Sequence, residues 1–250
     1  MQNTASFRFY GALNDFLRSR ERGKELEYTF NSAPAVKDAI EAIGIPHPEV
    51  QAILVNEKPV GFSQPLLAGD RVEVYPYSST MNWPADYALV TTCRKSNRFV
   101  LDVHLGTLAK SLRMLGFDCY YRRDLSDKRI AEIAQEEQRI VLTRDVGLLK
   151  QKTIERGYWL RSQQTEEQLN EVMQRYNLLD ELDPLTRCLV CNTFIKQVEK
   201  QEILNKVPPK TRLYFEEFYQ CPSCEKVYWK GSHYERMLQY IAHVKQNFTS

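Results

Sequence analysis

The sequence predicts an α/β chain in three parts: a central parallel sheet flanked by helices, a smaller α+β module in front of it, and a cysteine-knuckle ribbon behind it. Three observations carry this. The segment up to residue 77 reads as two strands, one helix, then more strands; from residue 98 short apolar strands alternate with amphipathic helices; and two Cys-x-x-Cys pairs stand in the last quarter.

Composition sets the frame. With 250 residues and 43% hydrophobic content, the chain can fill two or three small cores. Its 34 basic residues are nearly balanced by 32 acidic ones, so any basic surface has to be local. The opening MQNTASFRFYGALNDF lacks the basic stretch, apolar run and cleavage site of a secretory signal, and no run approaches the ~18 apolar residues of a membrane span. Of six cysteines, four form the two pairs, a pattern suited to a metal site in a reducing compartment rather than to disulfides. A cytoplasmic protein with no membrane partner is expected; the sequence sets no oligomeric state.

In the first module, Phe7 and Phe9, then Leu26, Tyr28 and Phe30, alternate as strand residues do. Residues 35–43 present Val36, Ile40 and Ile43 at helical spacing. A strand through AILV enters a tight turn at Asn56 and Glu57, and Gly69 and Asp70 feed another with Val72 and Val74 inward. This order, with VNEKPV and AGDRVEVYP, resembles the β-grasp sulfur carriers of thiamine and molybdopterin synthesis and the ubiquitin-like module allied to them. Those carriers act through a free diglycine terminus, whereas here Tyr75, Pro76 and Tyr77 continue into further chain, so sulfur transfer is not expected. Residues 78–97, with Pro84, several Ser and Thr residues and isolated Cys93, read as a linker.

The central part begins with a strand at Phe99–Leu101, closed by Asp102. The helix that follows carries Leu105, Leu108, Leu112 and Leu115 on one face and Gly106, Lys110 and Arg113 on another. Gly116 closes it, Cys119 to Tyr121 form the next strand, Ile130, Ile133 and Ala134 mark a second helix, and RIVLT leads to Asp145. In such a sheet ligands bind beyond the carboxyl ends of the strands. Asp102 and Asp145 each follow a strand, and Asp124 and Asp127 lie between strand and helix, so an acidic cluster suited to magnesium or manganese is expected. The competing reading is that these aspartates cap helices. Basic side chains at Lys110, Arg113, Arg122, Arg123 and Arg144 are expected near the same edge, where phosphates are held.

Cys188 and Cys191, then Cys221 and Cys224, form two knuckles separated by 29 residues, the arrangement of a closed, structural tetrahedral zinc site. From Leu185 onward Lys and Arg number 10 against 6 Asp and Glu, and Tyr214, Tyr228, Trp229, Lys230 and His233 either contact RNA or fill the ribbon core. Lys230 and His233 are the substrate-binding candidates.

Across roughly residues 97 to 240, the stretches LDVHLGTLAKSLRMLGFD, LSDKRIAEIAQEE, IVLTRDVGLL and VYWKGSHYERM resemble the PIN-like ribonuclease family named for the carboxy-terminal region of the Mut-seven exonuclease. A ubiquitin-like module is a companion of that family. The resemblance implies a PIN-like sheet, RNA as substrate, metal-dependent phosphodiester hydrolysis, and Asp102, Asp127 and Asp145 as ligands with Asp124 a weaker one. His104 departs from the family's usual apolar residue. The expected division is a ubiquitin-like β-grasp domain at 1–77, a linker at 78–97, a nuclease domain at 98–183 and a zinc ribbon with a carboxy-terminal helix at 184–250. The alternative function is a non-catalytic RNA-binding protein or a protein-interaction adaptor, the ubiquitin-like module then holding the partner.

Overall fold

The computed structural model describes residues 2–77, 84 and 97–248. The expected linker, including Cys93, falls almost wholly outside them.

The chain opens with β1 (Asn3–Phe9), β2 (Glu25–Phe30), α1 (Val36–Ile43), β3 (Val50–Val55), β4 (Lys58–Pro59) and β5 (Arg71–Pro76), forming one sheet of order β2-β1-β5-β3-β4. β1 runs parallel to β5 and antiparallel to β2, the β-grasp arrangement expected from the sequence. Alternation decides which residues go inside. Phe7, Phe9, Val72 and Val74 are buried and pack with Val36, Ala39 and Ile40 of α1; each such large side chain stabilises by roughly 1.5–3 kcal/mol. Ile43 is only partly buried, because it sits at the end of α1 beside Gly44. The tight turn between β3 and β4 has positive φ at both Asn56 and Glu57, as a two-residue hairpin of primed type requires.

Next come β6 (Arg98–Leu101), α2 (Gly106–Met114), β7 (Asp118–Tyr120), α3 (Asp127–Glu136), β8 (Ile140–Thr143), α4 (Val146–Leu149), β9 (Gly157–Trp159) and α5 (Thr165–Tyr176). β6 pairs with β7, and β8 with β9, both in parallel, as strand–helix–strand crossovers demand. Leu105, Leu108, Leu112 and Leu115 are all buried, so the predicted apolar stripe is the inner face of α2. The ribbon follows with β10 (Lys196–Val198), α6 (Lys200–Ile203), α7 (Pro209–Tyr214), β11 (Phe218–Gln220), β12 (Val227–Trp229) and the long α8 (Ser232–Phe248). β10, β11 and β12 make an antiparallel meander. Among the described residues no helix is long and apolar enough to cross a membrane.

Packing groups these elements differently from their linear order. One compact unit joins Met1–Ser96 to Ser126–Arg161, and the other joins Asn97–Leu125 to Ser162–Ser250. In the first, the β-grasp module is tied to β9: buried Glu49 accepts a hydrogen bond from the Trp159 backbone N–H at 2.6 Å and faces Arg161 at 3.5 Å. Phe16 packs on the Trp159 ring at 5.0 Å, and Lys150 Nζ donates to the Glu41 carbonyl. In the second, α5 packs on α2, and Gly116 turns the chain with φ of +100°. A Cβ there would lie 2.2 Å from the Asp183 carbonyl oxygen, so only glycine fits.

Candidate metal centre and nuclease site

Both cysteine knuckles are built alike. In the first, the Cys188 N–H donates to the Thr193 carbonyl and the Asn192 N–H to the Cys188 carbonyl. In the second, the Cys221 N–H donates to Lys226 and the Glu225 N–H to Cys221. Asn192 and Glu225, each the fourth residue after the leading cysteine, take positive φ to close the turn. Sequence reasoning passed over both, although asparagine tolerates this conformation better than most residues.

The four sulfur atoms lie within 4.8 Å of one another, with Cys188–Cys224 at 3.5 Å and Cys191–Cys221 at 3.3 Å. Tetrahedral zinc with Zn–S bonds of ~2.3 Å spaces its sulfurs by roughly 3.8 Å, so the cage fits the ion. Among the described residues this is the one group of three or more His, Cys, Asp and Glu side chains gathered closely enough to share a metal. Desolvation within the cluster, with the neighbouring Cys188, Cys191 and Cys221 sulfurs, pushes the thiol of exposed Cys224 up to about 12. Burial opposes the Cys191 thiolate as well, but hydrogen bonds from Thr193 bring it down to about 6. Four thiolates thus need a cation to coexist.

Tyr228 lies half-buried beside the cage. Its hydroxyl sits 3.1 Å from Cys188 Sγ and accepts the Leu189 N–H at 3.0 Å. Burial, reinforced by the bond to Cys188, raises this phenol, which keeps its proton available to the sulfur. Trp229 packs on the ribbon core of Ile203, Val207, Phe218 and Val227. Lys230 is exposed and ion-paired with Glu217, His233 is exposed near the start of α8, and Tyr214 is 77% exposed.

The aspartates occupy varied settings. Asp102 ends β6, is 7% exposed, and accepts weakly from the His104 N–H at 3.4 Å. Exposed Asp145 caps α4 by accepting the Gly147 N–H at 2.7 Å, while its own N–H donates to buried Thr143 Oγ1 at 2.9 Å. Asp127 is the first residue of α3, exposed; the cap itself is Ser126, whose Oγ accepts from the Arg129 N–H. Asp124 is held bidentately by Arg122 at 2.7 and 3.1 Å, which keeps its carboxyl below the usual carboxylate range.

Of the basic candidates, Lys110 is exposed, and so is Arg144, whose carbonyl accepts the Trp159 indole N–H. The expectation for Arg113 is corrected. Its side chain is buried, donating to the Cys119 carbonyl from Nε and Nη2 and to the Leu189 and Val190 carbonyls from Nη1. A guanidinium spent on three carbonyls is a clasp between β7 and the first knuckle and is not free for phosphate. Asn192 completes the clasp, accepting the Cys119 N–H at 2.9 Å and donating to Asp118 at 2.8 Å.

Comparison with known proteins agrees with this architecture. The model of the Mut7-C RNAse domain matches residues 97–241, and that of the Mut7-C ubiquitin domain matches residues 2–82. No curated protein sequence matches. Among solved structures, a crystal structure of H. volcanii small archaeal modifier protein 1 aligns at 13% identity over 30% of this chain and 97% of its own, with a TM-score of 0.25. One of SAMP1 from Haloferax volcanii aligns at 16% identity over 31% and 99%, again with a TM-score of 0.25. With more than half of its length matched by the first family model, the chain belongs to the Mut7-C RNAse domain family and carries a Mut7-C ubiquitin domain ahead of the ribonuclease-type part.

Proposed function

We propose that the chain is a metal-dependent ribonuclease acting on RNA phosphodiester bonds, in which Asp102, Asp127 and Asp145, not gathered as the four cysteines are among the described residues, become the ligands of a magnesium or manganese ion when it binds, with Asp124 in a lesser role. The observation that carries this reading is Asp102, a carboxylate nine-tenths buried at the carboxyl end of a parallel strand, where α/β sheets bind their ligands. The donor set is all carboxylate oxygen, the chemistry hard divalent ions prefer. Asp145, braced by Thr143 and Gly147, has a defined orientation before any ion arrives. When bound, the ion supplies charge stabilisation at the phosphoryl oxygens and acidifies water. The protein's share is to hold the strand: Lys110 and Arg144 offset phosphate charge, with Lys230 and His233 offering further contacts from the ribbon. The four cysteines hold zinc as a structural ion, consistent with a reducing, cytoplasmic setting.

The test is cleavage of single-stranded RNA by purified full-length protein against added magnesium and manganese. Asp102→Asn and Asp145→Asn are each expected to slow cleavage by more than about a hundredfold, since several kcal/mol of charge stabilisation are lost. Undiminished cleavage by both variants, or cleavage indifferent to divalent ions, overturns the proposal. A non-catalytic RNA-binding or protein-interaction adaptor is favoured by the helix caps that Asp102 and Asp145 make, and it predicts no metal-dependent cleavage at all.

A further inference from the structure

Immediately after Asp102 the chain enters an open groove of about 710 Å³. One wall is the start of α2, with Thr107 and Lys110; a second is the segment after β7, with Arg122 and Arg123; the third is the tip of the first zinc knuckle, where Val190 is 60% exposed. Tyr121 lines the groove between the first two walls, its hydroxyl donating to the Val103 carbonyl at 2.9 Å. Its hydroxyl lies 2.6 Å from where a Cβ on Gly106 would stand, so glycine at that helix start is what admits the ring.

We propose that this groove binds the phosphate backbone of single-stranded RNA and that the zinc knuckle is one of its walls, so the zinc shapes the substrate path as well as the ribbon. The proposal rests on the ribonuclease reading and adds the path of the strand to it. The charge balance carries it: Lys110, Arg122 and Arg123 face one carboxylate, Asp124, which Arg122 already occupies. Lys110 and Arg123 make no ion pair among the described residues. A basic groove with an aromatic ring in it is the form of sites that track an unpaired strand, whereas duplex RNA is read over wide, shallow surfaces.

The third wall is fixed by the metal. Val190 lies between the ligands Cys188 and Cys191, and its carbonyl and that of Leu189 accept from buried Arg113, which grips the Cys119 carbonyl with its other nitrogens. Arg113 is therefore a positioning residue. It sets the distance between knuckle and β7, and although it borders the groove only 2% of its surface is exposed.

The experiment is fluorescence anisotropy of labelled oligouridine with full-length, zinc-loaded protein, without added magnesium or manganese, at several salt concentrations. Lys110→Glu and Arg123→Glu are each expected to weaken binding about tenfold, and Arg123→Ala to lower the salt slope by about 0.7, the share of one phosphate contact on a single strand. Val190→Asp is expected to weaken binding at unchanged zinc content, and Lys152→Glu, outside the groove, to leave it unchanged. Wild-type affinity in both charge-reversal variants overturns the proposal, and wild-type affinity in Val190→Asp at unchanged zinc content overturns the knuckle's place as a wall; an equal loss in Lys152→Glu, or equal affinity for duplex RNA, also overturns the proposal. Normal binding by the groove variants with cleavage lost in Asp145→Asn removes this path and keeps the nuclease reading. Weakened binding with cleavage intact in Asp145→Asn does the reverse.

Discussion

Among the described residues, the β-grasp module gathers sixteen buried side chains into one cluster around Phe7, Phe9, Ile40 and Val74, whereas the ribbon's own cluster has four: Ile203, Val207, Phe218 and Val227. The first is large enough for apolar burial to repay the entropy of ordering its chain. The second is not, and the ribbon's order has to come from elsewhere: from the four-cysteine cluster, which could hold a metal such as zinc, and from the Arg113 clasp to β7. The contrast separates two kinds of fragility. The module should resist chelators and suffer from core truncation; the ribbon should show the opposite pattern.

The largest effect tests the ribbon. Removing zinc with a strong chelator, or substituting buried Cys221→Ser, withdraws a contribution of about 10–16 kcal/mol in small zinc peptides. Amide exchange in β10–β12 should rise to the unprotected limit while β1 and β5 stay protected; loss of protection in β1 as well breaks the comparison. The converse is Phe7→Ala, fully buried in the module, which should cost about 3–5 kcal/mol in urea unfolding of the module with zinc content unchanged. Arg113→Met probes the clasp. It leaves the Cys119, Leu189 and Val190 carbonyls without their guanidinium donor, at about 1–3 kcal/mol, and should speed zinc loss to a chelator while the module's midpoint holds still.

The smallest effect is a pH dependence confined to the module. Burial depresses the pKa of His47, Lys37 adds to this, and the 2.6 Å contact with Glu41 works against it. The unfolded histidine therefore takes its proton first, so below about pH 6.5 the unfolded state binds more protons and stability falls with falling pH. His47→Gln should flatten that part of the urea-midpoint profile. An unchanged slope in the variant assigns the acid sensitivity to other groups.

Much of this was legible without coordinates. The alternation at Phe7 and Phe9, the stripe Leu105, Leu108, Leu112 and Leu115, and the tight turn at Asn56 and Glu57 are local patterns, set by a period of two or of 3.6 residues or by adjacent residues of turn type. The two cysteine pairs are equally local, because a knuckle brings the sulfurs of residues three apart close together. Arg113 shows where this stops. Helical spacing sets it beside Lys110 on the polar face, and nothing nearby in sequence says that carbonyls 76 and 77 residues later will close over it. Glu49 is the same case, a carboxylate in a sequence of ordinary polarity that becomes buried against Trp159, 110 residues away.

By itself the sequence determined the order of elements, the β-grasp core, the four-cysteine cluster and the family, all of which depend on short-range periodicity or on motifs whose parts carry their own chemistry. Tertiary structure alone decided that one arginine in the predicted phosphate-binding set became a clasp, that the β-grasp module packs with residues 126–161, and that the zinc knuckle borders the groove beside Asp102. The reason is physical: a polar side chain has the same local signature whether it faces water or a buried carbonyl, and only the approach of distant chain removes the water and assigns its partner.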